Sequence, residues 1–494
     1  MKNILVIDVG TSSMRGVLFD EAGKVIHVVQ KKYQTLYMSP ILVEEEPAVW
    51  RATLLGILKD QAEYTKVNGF QVAALSLTSQ RSSIIPVDRE GKPLRNAIMW
   101  MDKRNTEIAA EMSQYRHEIF KKTGARVNTV FSGTKMTWVH RNEKHIYDAA
   151  YKIITIADYL SWLMTGEYRT DHTYASRSLL FNIRKREWDP DMLKLLEVDE
   201  EKLCDLIAPG AVHGYTTKDL EAKTGLPAGI PLISAGGDQQ CAALGMGVIA
   251  QGDMEITTGT GAFLIASADH VPDDLRDDII CGAHAVPGYY ALEASMLACA
   301  SVYDWFNNQF YQEVPRDQRI PAVNAEVEKS PAGAKGTLAL PYFQGRGTPD
   351  WNSEARGAFL NLTPNASRGD LARTLLESIA LEAANSVELL KGYIGGEGDL
   401  FINGGLTKFD EFNRIQASAY NCPVRKSSNP EQTSLGAWSS AAVALGIYED
   451  HASAIAKAKA DDVITEYAPV PEWTGVYKEK RTEMNRIYSL LYKK

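Results

Sequence analysis

Ile4 to Ile7 is an unbroken apolar run that stops at the polar turn Asp8-Val9-Gly10-Thr11-Ser12-Ser13. Such a run predicts a buried strand. Gly16-Val17-Leu18-Phe19 predicts a second strand, Asp20 to Lys24 a turn, and Val25 to Val29 a third strand. Three short strands on tight turns predict an antiparallel meander. From Pro47 to about Lys66 the apolar positions follow a helical period, with proline suited to the first turn. A strand over Val72 to Leu77 then leads to Thr78-Ser79-Gln80-Arg81, and Asp88-Arg89-Glu90-Gly91-Lys92 reads as a hairpin turn. Hairpins mixed with βα units predict an α/β layered domain.

Near position 230 the pattern starts again. Pro231 to Ala235 predicts a strand ending at Gly236-Gly237-Asp238-Gln239-Gln240, with an apolar helix from Cys241 to Gly247. The run from Met254 to Ile265 repeats the opening theme of strand, Gly/Thr turn and strand, with Thr258-Gly259-Thr260-Gly261 as its turn. Two halves that open alike suggest an internal duplication. A length of 494 residues exceeds one ordinary core, so two domains are expected, 1–236 and 237–494. Further on, the strand Leu400-Phe401-Ile402 meets Asn403-Gly404-Gly405 before a helix from about Glu411 to Tyr420. An amphipathic helix, roughly Thr474 to Tyr492, closes the chain.

Charge and cysteine content narrow the function classes. A net charge of -9 argues against nucleic acid and anionic membrane surfaces, which attract basic proteins. Cys204, Cys241, Cys281, Cys299 and Cys422 are scattered without a C-x-x-C spacing and predict reduced thiols rather than a disulfide frame or zinc site. The opening apolar run is too short for a signal peptide, and no stretch reaches the length of a membrane span. A cytoplasmic protein is expected, and a homodimer is left open.

Several turns carry candidate chemistry. Glycine lets backbone approach a ligand closely, and turn N–H groups with Thr and Ser hydroxyls can surround phosphate oxygens. Asp8 could hold Mg²⁺, which takes one or two carboxylates plus substrate phosphates. Each Gly/Thr turn alone is equally an ordinary hairpin; two of them suggest loops that close on one polyphosphate. Gly404 and Gly405 lie at a strand–helix junction of the kind that favours anions. Asp238 could accept a proton from an attacking hydroxyl, or could simply cap the helix that follows it. Gln80 and Arg81 offer donors at the carboxyl end of a strand, where α/β sites lie. Trp100 and Asp102 could give an aromatic wall and a carboxylate for sugar hydroxyls, or be satisfied core residues.

Taken in order, these pieces resemble the FGGY carbohydrate kinases. The resemblance runs from Asp8-Val9-Gly10-Thr11-Ser12 through Thr78-Ser79-Gln80-Arg81 and Trp100 to Phe131-Ser132-Gly133-Thr134-Lys135 with Trp138. It continues in Asp158-Tyr159-Leu160, Thr170-Asp171, Ala175-Ser176, Gly237-Asp238-Gln239-Gln240, Thr258-Gly259-Thr260-Gly261, Ala355-Arg356-Gly357 and Asn403-Gly404-Gly405. It implies an α/β fold of two ribonuclease-H-like (actin-like ATPase) domains with an interdomain cleft, and MgATP-dependent phosphorylation of a sugar or polyol. By position it implies Asp238 as catalytic base and Thr11, Ser12, Arg15, Thr260, Gly261, Gly404 and Gly405 on the nucleotide. Gln80, Arg81, Trp100, Asp238, Gln239 and Phe263 are implied to line the substrate pocket, beside the Asp102 read above.

The departures bear on substrate. Glycerol kinases carry Glu after the Gln-Arg pair and Tyr before the Phe-Ser-Gly-Thr-Lys run; here Ser82 and Val130 stand there. Losing a carboxylate and a phenol removes two grips on a triol, so a ketose or polyol of four to six carbons is expected. Ala300, Asn361 and Phe409 depart from the family on the nucleotide and packing side. Glycerol phosphorylation and a non-catalytic actin-like nucleotide-binding protein are the alternatives.

Overall fold

The opening meander forms as its apolar pattern predicts. In the computed structural model, which describes residues 2–395 and 397–493, β1 (Asn3–Val9), β2 (Ser13–Phe19) and β3 (Val25–Lys32) pair antiparallel in sequence. β1 is apolar without a break from Ile4 to Ile7 because both its faces are covered. Leu5, Ile7 and Val9 pack with Leu54, Ile57 and Leu58 of α1 (Pro47–Asn68), while Ile4 and Val6 pack with Leu435 and Trp438. A strand buried on both sides reads as a continuous rather than alternating apolar run.

β4 (Val72–Ser79) lies parallel to β1, and β6 (Pro231–Gly237) parallel to β4, with β5 (Val212–Tyr215) antiparallel at the edge beyond. The strand order is therefore β5-β6-β4-β1-β2-β3. Helix α2 (Asp238–Met246) follows β6 directly.

The same plan recurs in β7 (Met254–Thr258), β8 (Ala262–Ala268), β9 (Tyr290–Met296), β10 (Leu400–Gly404), β11 (Val424–Ser427) and β12 (Ile464–Tyr467), which adjoin in the order β9-β8-β7-β10-β11-β12. β7 pairs antiparallel with β8, parallel with β10; β10 is parallel to β11, and β11 antiparallel to β12. The pairings β7–β8, β7–β10, β10–β11 and β11–β12 match β1–β2, β1–β4, β4–β6 and β6–β5 of the first sheet, as the repeated opening theme suggests. Helices α3 (Arg368–Ile394), α4 (Asp410–Tyr420) and α6 (Pro471–Tyr492) belong with this second sheet, whereas α5 (Gln432–Ala444) belongs with the first.

The chain consequently divides into two compact units that are not continuous halves. One comprises Met1–Ile249, Ala268–Ala291 and Pro430–Asp461; the other comprises Ala250–Ser267, Leu292–Asn429 and Asp462–Lys494. The expected boundary at 236/237 would have separated β6 from α2, yet both lie in the first unit. The return of 430–461 has a packing reason. A Cβ on Gly245 of α2 would sit 1.9 Å from the Gln432 carbonyl oxygen, and one on Gly436 of α5 would sit 1.9 Å from that of Cys241. The two helices cross backbone against backbone, which only glycine permits at that separation. No helix among the described residues is long and apolar enough to cross a membrane.

In the second unit, α3 is started by a reciprocal cap. Ser367 Oγ accepts the Asp370 N–H, and Asp370 Oδ2 accepts the Ser367 N–H at 2.8 Å. Ser330 Oγ and Lys335 Nζ also donate to this carboxylate, at 2.6 and 2.8 Å. Burial alone would raise its pKa, but these donors outweigh it and hold the carboxyl below its ordinary 3.8. A depressed folded pKa gives stability that is present above the unfolded value and lost as the pH falls through the folded one. Asp370→Asn is expected to cost about 1 kcal/mol at pH 7, in the range of a lost cap. Chemical denaturation should show that gap shrinking as the pH falls below 4.

Candidate functional site

Three parallel strands deliver the candidate residues of the first unit to one edge. Asp8 of β1 lies opposite Thr78 of β4, and Thr78 opposite Gly236 of β6; Val9, Ser79 and Gly237 form the next row. Chain leaving these carboxyl ends carries Gly10 to Ser12, Gln80-Arg81 and Asp238. With neighbouring strands about 4.8 Å apart, the Asp8 and Gly236 backbones lie roughly 10 Å from each other.

Asp8 Oδ2 accepts Arg15 at 2.6 Å and Ser434 Oγ at 3.4 Å. The other arm of Arg15 reaches Glu431, just before α5, at 2.8 Å. Burial lowers the Arg15 pKa, but Asp8 and Glu431 outweigh it and keep the guanidinium charged. Arg15 is thus fixed between two carboxylates. The Gly10–Ser13 turn closes with Gly10 N–H on Ser13 O at 2.9 Å, and Gly10 O accepts Tyr33 OH at 2.6 Å and Gln80 Nε2 at 3.1 Å. Thr11 Oγ1 lies 3.4 Å from Trp100 Nε1, and Ser12 is exposed.

Asp238 is the first residue of α2, so the capping position falls to Gly237 rather than to Asp238. Its Oδ1 accepts the Gln239 N–H at 2.8 Å and lies 3.7 Å from Arg81 Nε; Gln239 itself is half-buried. A buried network supports this turn from behind. Thr173 Oγ1 accepts the Gly237 N–H at 2.9 Å and donates to Asp171 Oδ1, while Tyr174 OH donates to the Gly236 carbonyl at 2.8 Å. Ser234 Oγ completes it on Asp171 Oδ2. Burial raises the Asp171 pKa against these hydrogen bonds.

Asp102 is placed elsewhere than the expected contact with sugar hydroxyls. It is fully buried, and its carboxylate accepts the Val43 N–H at 2.6 Å and Arg104 Nε at 2.8 Å. It ties down the Trp100 turn, and Trp100 alone reaches the surface, with the Ser83 hydroxyl accepting its N–H at 2.9 Å.

The two departures also acquire a setting. Ser82 has φ +71° and a buried Oγ without a partner among the described residues; Gln80 Oε1 is likewise buried and unpartnered. A non-glycine residue held in that region costs about 1–3 kcal/mol and points to a functional constraint. Val130 is half-buried on a segment held by Lys135, whose ammonium donates to the Thr129 and Val130 carbonyls at 2.6 and 2.5 Å. Burial pushes the Lys135 pKa down to about 7, partly opposed by Asp102.

In the second unit, Thr260 and Gly261 form the β7–β8 turn. The Thr260 carbonyl accepts the Cys299 N–H at 2.8 Å and Ser301 Oγ at 2.9 Å, so the start of helix Ala300–Phe310 is bound to the turn. Phe263 on β8 is 46% exposed, large for an aromatic ring on a strand. Gly404 has φ +101°, and a Cβ there would come within 2.3 Å of the Thr258 carbonyl oxygen. Space beside Gly405 is open. The helix expected from about Glu411 to Tyr420 forms as α4, with a 3₁₀ turn, Gly405–Lys408, between it and the glycines. The glycines therefore supply a flat, open approach rather than helix N-terminal N–H groups.

Glu431, Ser434, Thr173, Tyr174 and Ser234 escape the sequence reading. Only Asp171 belongs to a quoted motif; Glu431 meets Arg15 across 416 residues and carries no local signal.

Residues 3–245 match the model of the FGGY family of carbohydrate kinases, N-terminal domain, and residues 254–445 that of its C-terminal domain. A glycerol kinase of Thermococcus onnurineus is 32% identical over 457 residues, 90% of each chain. Among solved structures, a ligand-bound xylulose kinase from Lactobacillus acidophilus shares the fold with TM-score 0.92 at 24% identity, covering 100% of this chain and 99% of that one. A Plasmodium falciparum glycerol kinase with ADP gives TM-score 0.90 at 27% identity, with 100% and 99% covered.

A Cβ on Gly237 would meet Arg81 Cδ at 2.6 Å and Gln240 Oε1 at 2.7 Å, both movable side chains. Gly237→Ala is therefore expected to fold and melt near the parent while shifting Arg81 from Asp238. Activity should fall on the order of 100-fold, the scale of an ångström's misplacement. Steady-state assays beside thermal melts check this.

Proposed function

The chain belongs to the FGGY family of carbohydrate kinases, and on that premise we propose Asp238 as its general base and a ketose or polyol of four to six carbons as its acceptor. As a family member it is a phosphotransferase acting on an alcohol group, with ATP as co-substrate. The carrying observation is the Asp238 carboxylate, partly exposed at the end of β6, braced from behind and flanked by Arg81. A hydroxyl placed against Asp238 gives up its proton to the carboxylate as its oxygen attacks the γ-phosphorus. Arg81, 3.7 Å away, aims that carboxylate. Gln80 Oε1, Ser82 Oγ and the Trp100 face would receive the rest of the acceptor.

The donor set of the first unit suits Mg²⁺. Asp8 keeps Oδ1 beside the Arg15-bound Oδ2, and no cluster of three acidic, His or Cys side chains exists among the described residues. That matches an ion completed by phosphate oxygens and water rather than by a protein cage. Held by Asp8, Mg²⁺ would screen the charge on the transferred phosphoryl group. Thr11 and Ser12 would meet the phosphates on this unit. In the second unit, Thr260, Gly261, Gly404 and Gly405 are the proposed nucleotide residues and Phe263 a proposed acceptor residue. The cysteines, all free and four of them buried, suit the reducing cytoplasm.

Glycerol is the second reading, favoured by the name of the Thermococcus onnurineus relative and the shared Gln80-Arg81 and Gly237-Asp238-Gln239-Gln240 runs. Ser82 and Val130 oppose it: each polar grip lost from a buried site costs about 1–3 kcal/mol. An ADP-release screen of glycerol, erythritol, pentitols, 2-ketopentoses and ketohexoses separates the two. A four- to six-carbon acceptor should give the highest kcat/KM, and Ser82→Glu with Val130→Tyr should raise glycerol turnover. Glycerol leading the panel would overturn the substrate assignment. Asp238→Asn should retain ATP binding in calorimetry while losing about 10²- to 10⁴-fold in kcat; near-normal turnover would remove Asp238 as base.

A further inference from the structure

Behind the Gly10–Ser13 turn lies a buried acid that the proposed chemistry does not use. Glu45 ends the short strand Val43–Glu45 and is 1% exposed. Its Oε2 lies 3.2 Å from Thr35 Oγ1, and its Oε1 has no partner among the described residues. Thr35 Oγ1 is in turn 3.3 Å from the Thr11 carbonyl oxygen. A hydroxyl has one hydrogen to donate, so it cannot serve both acceptors at once.

We infer that Thr35 and Glu45 are positioning residues for the phosphate-side turn, the proton on Glu45 deciding which acceptor the Thr35 hydroxyl serves. This rests on the reading of Thr11 and Ser12 as phosphate ligands. With Glu45 protonated, its O–H donates to Thr35 Oγ1, and Thr35 donates to the Thr11 carbonyl. The turn is then held at Thr11 as Tyr33 holds it at Gly10. With Glu45 ionised, the Thr35 hydrogen goes to the carboxylate and the Thr11 carbonyl loses its donor.

The setting places this exchange in the neutral range. Burial pushes the Glu45 pKa up to about 7, the Thr35 hydrogen bond opposing. The ionisable groups facing it are the Tyr33 phenol and, beyond that, Asp8 on β1. Burial first, then Glu45 and Asp8, raise the Tyr33 pKa, so the phenol stays protonated throughout. The neighbouring strand presents Ala97 opposite Glu45, and α1 presents the Trp50 indole beside Tyr33.

The test is the KM for ATP of the full chain between pH 6 and 8, each variant taken as a ratio to wild type so that the titration of ATP cancels. Wild-type KM should rise about fivefold with pH, the weight of one hydrogen bond. Glu45→Gln, whose amide donates to Thr35 at every pH, should hold the low KM without that rise. Thr35→Val should show the high KM at both ends, and kcat should stay near wild type in each. A Glu45→Gln profile that keeps the wild-type slope overturns the inference. Thr11→Ala and Ser12→Ala run alongside distinguish the failures. If they raise KM while Glu45→Gln keeps the slope, only the Thr35–Glu45 inference falls; if they leave KM unchanged, the phosphate reading falls and takes it along.

Discussion

The parallel pairing of β1, β4 and β6 is the constraint from which the first unit's chemistry descends. Register in a sheet is discrete, and a slip of one residue would send each side chain to the opposite face. Here Asp8, Thr78 and Gly236 share one row, so the chain beyond each strand emerges on the same side. The strands are largely apolar up to that edge, and the exceptions Ser76 and Ser234 are buried and hydrogen-bonded. Polar residues accumulate abruptly at that edge, as Asp8, Gln80-Arg81 and Asp238.

Charge is then arranged around the edge without a dense cluster. Arg15 bridges Asp8 and Glu431 and so offsets one of the two negative charges near a proposed phosphate site. In the second unit the β7–β8 turn carries Thr260 and Gly261, with an exposed Phe263 on β8.

Local pattern made the meander, the helix from Pro47 and the restart near 230 legible, because each depends on residues close in sequence. The interleaved units were not legible, since nothing in 430–461 announces that it packs against a helix nearly 200 residues earlier. Asp102 shows the same limit. Its place after a strand suggests an available carboxylate, but the Val43 amide, 59 residues away, and Arg104 claim it. Glu431 is the converse, an unremarked acid after a proline that becomes part of the site through Arg15. The Asp238 turn was legible as a motif, while Thr173 and Tyr174, which hold it, entered only through the fold.

The crossing of α2 and α5 at Gly245 and Gly436 ties two parts of the site together. Asp238 begins one of these helices and Glu431 immediately precedes the other, so a contact without side chains sets the spacing between the proposed base and the Arg15 clamp. Ser82 and Val130 sit on separate segments outside that crossing. If Ser82 and Val130 set acceptor preference as proposed, that preference can drift without disturbing the backbone contact that spaces the proposed base from the clamp.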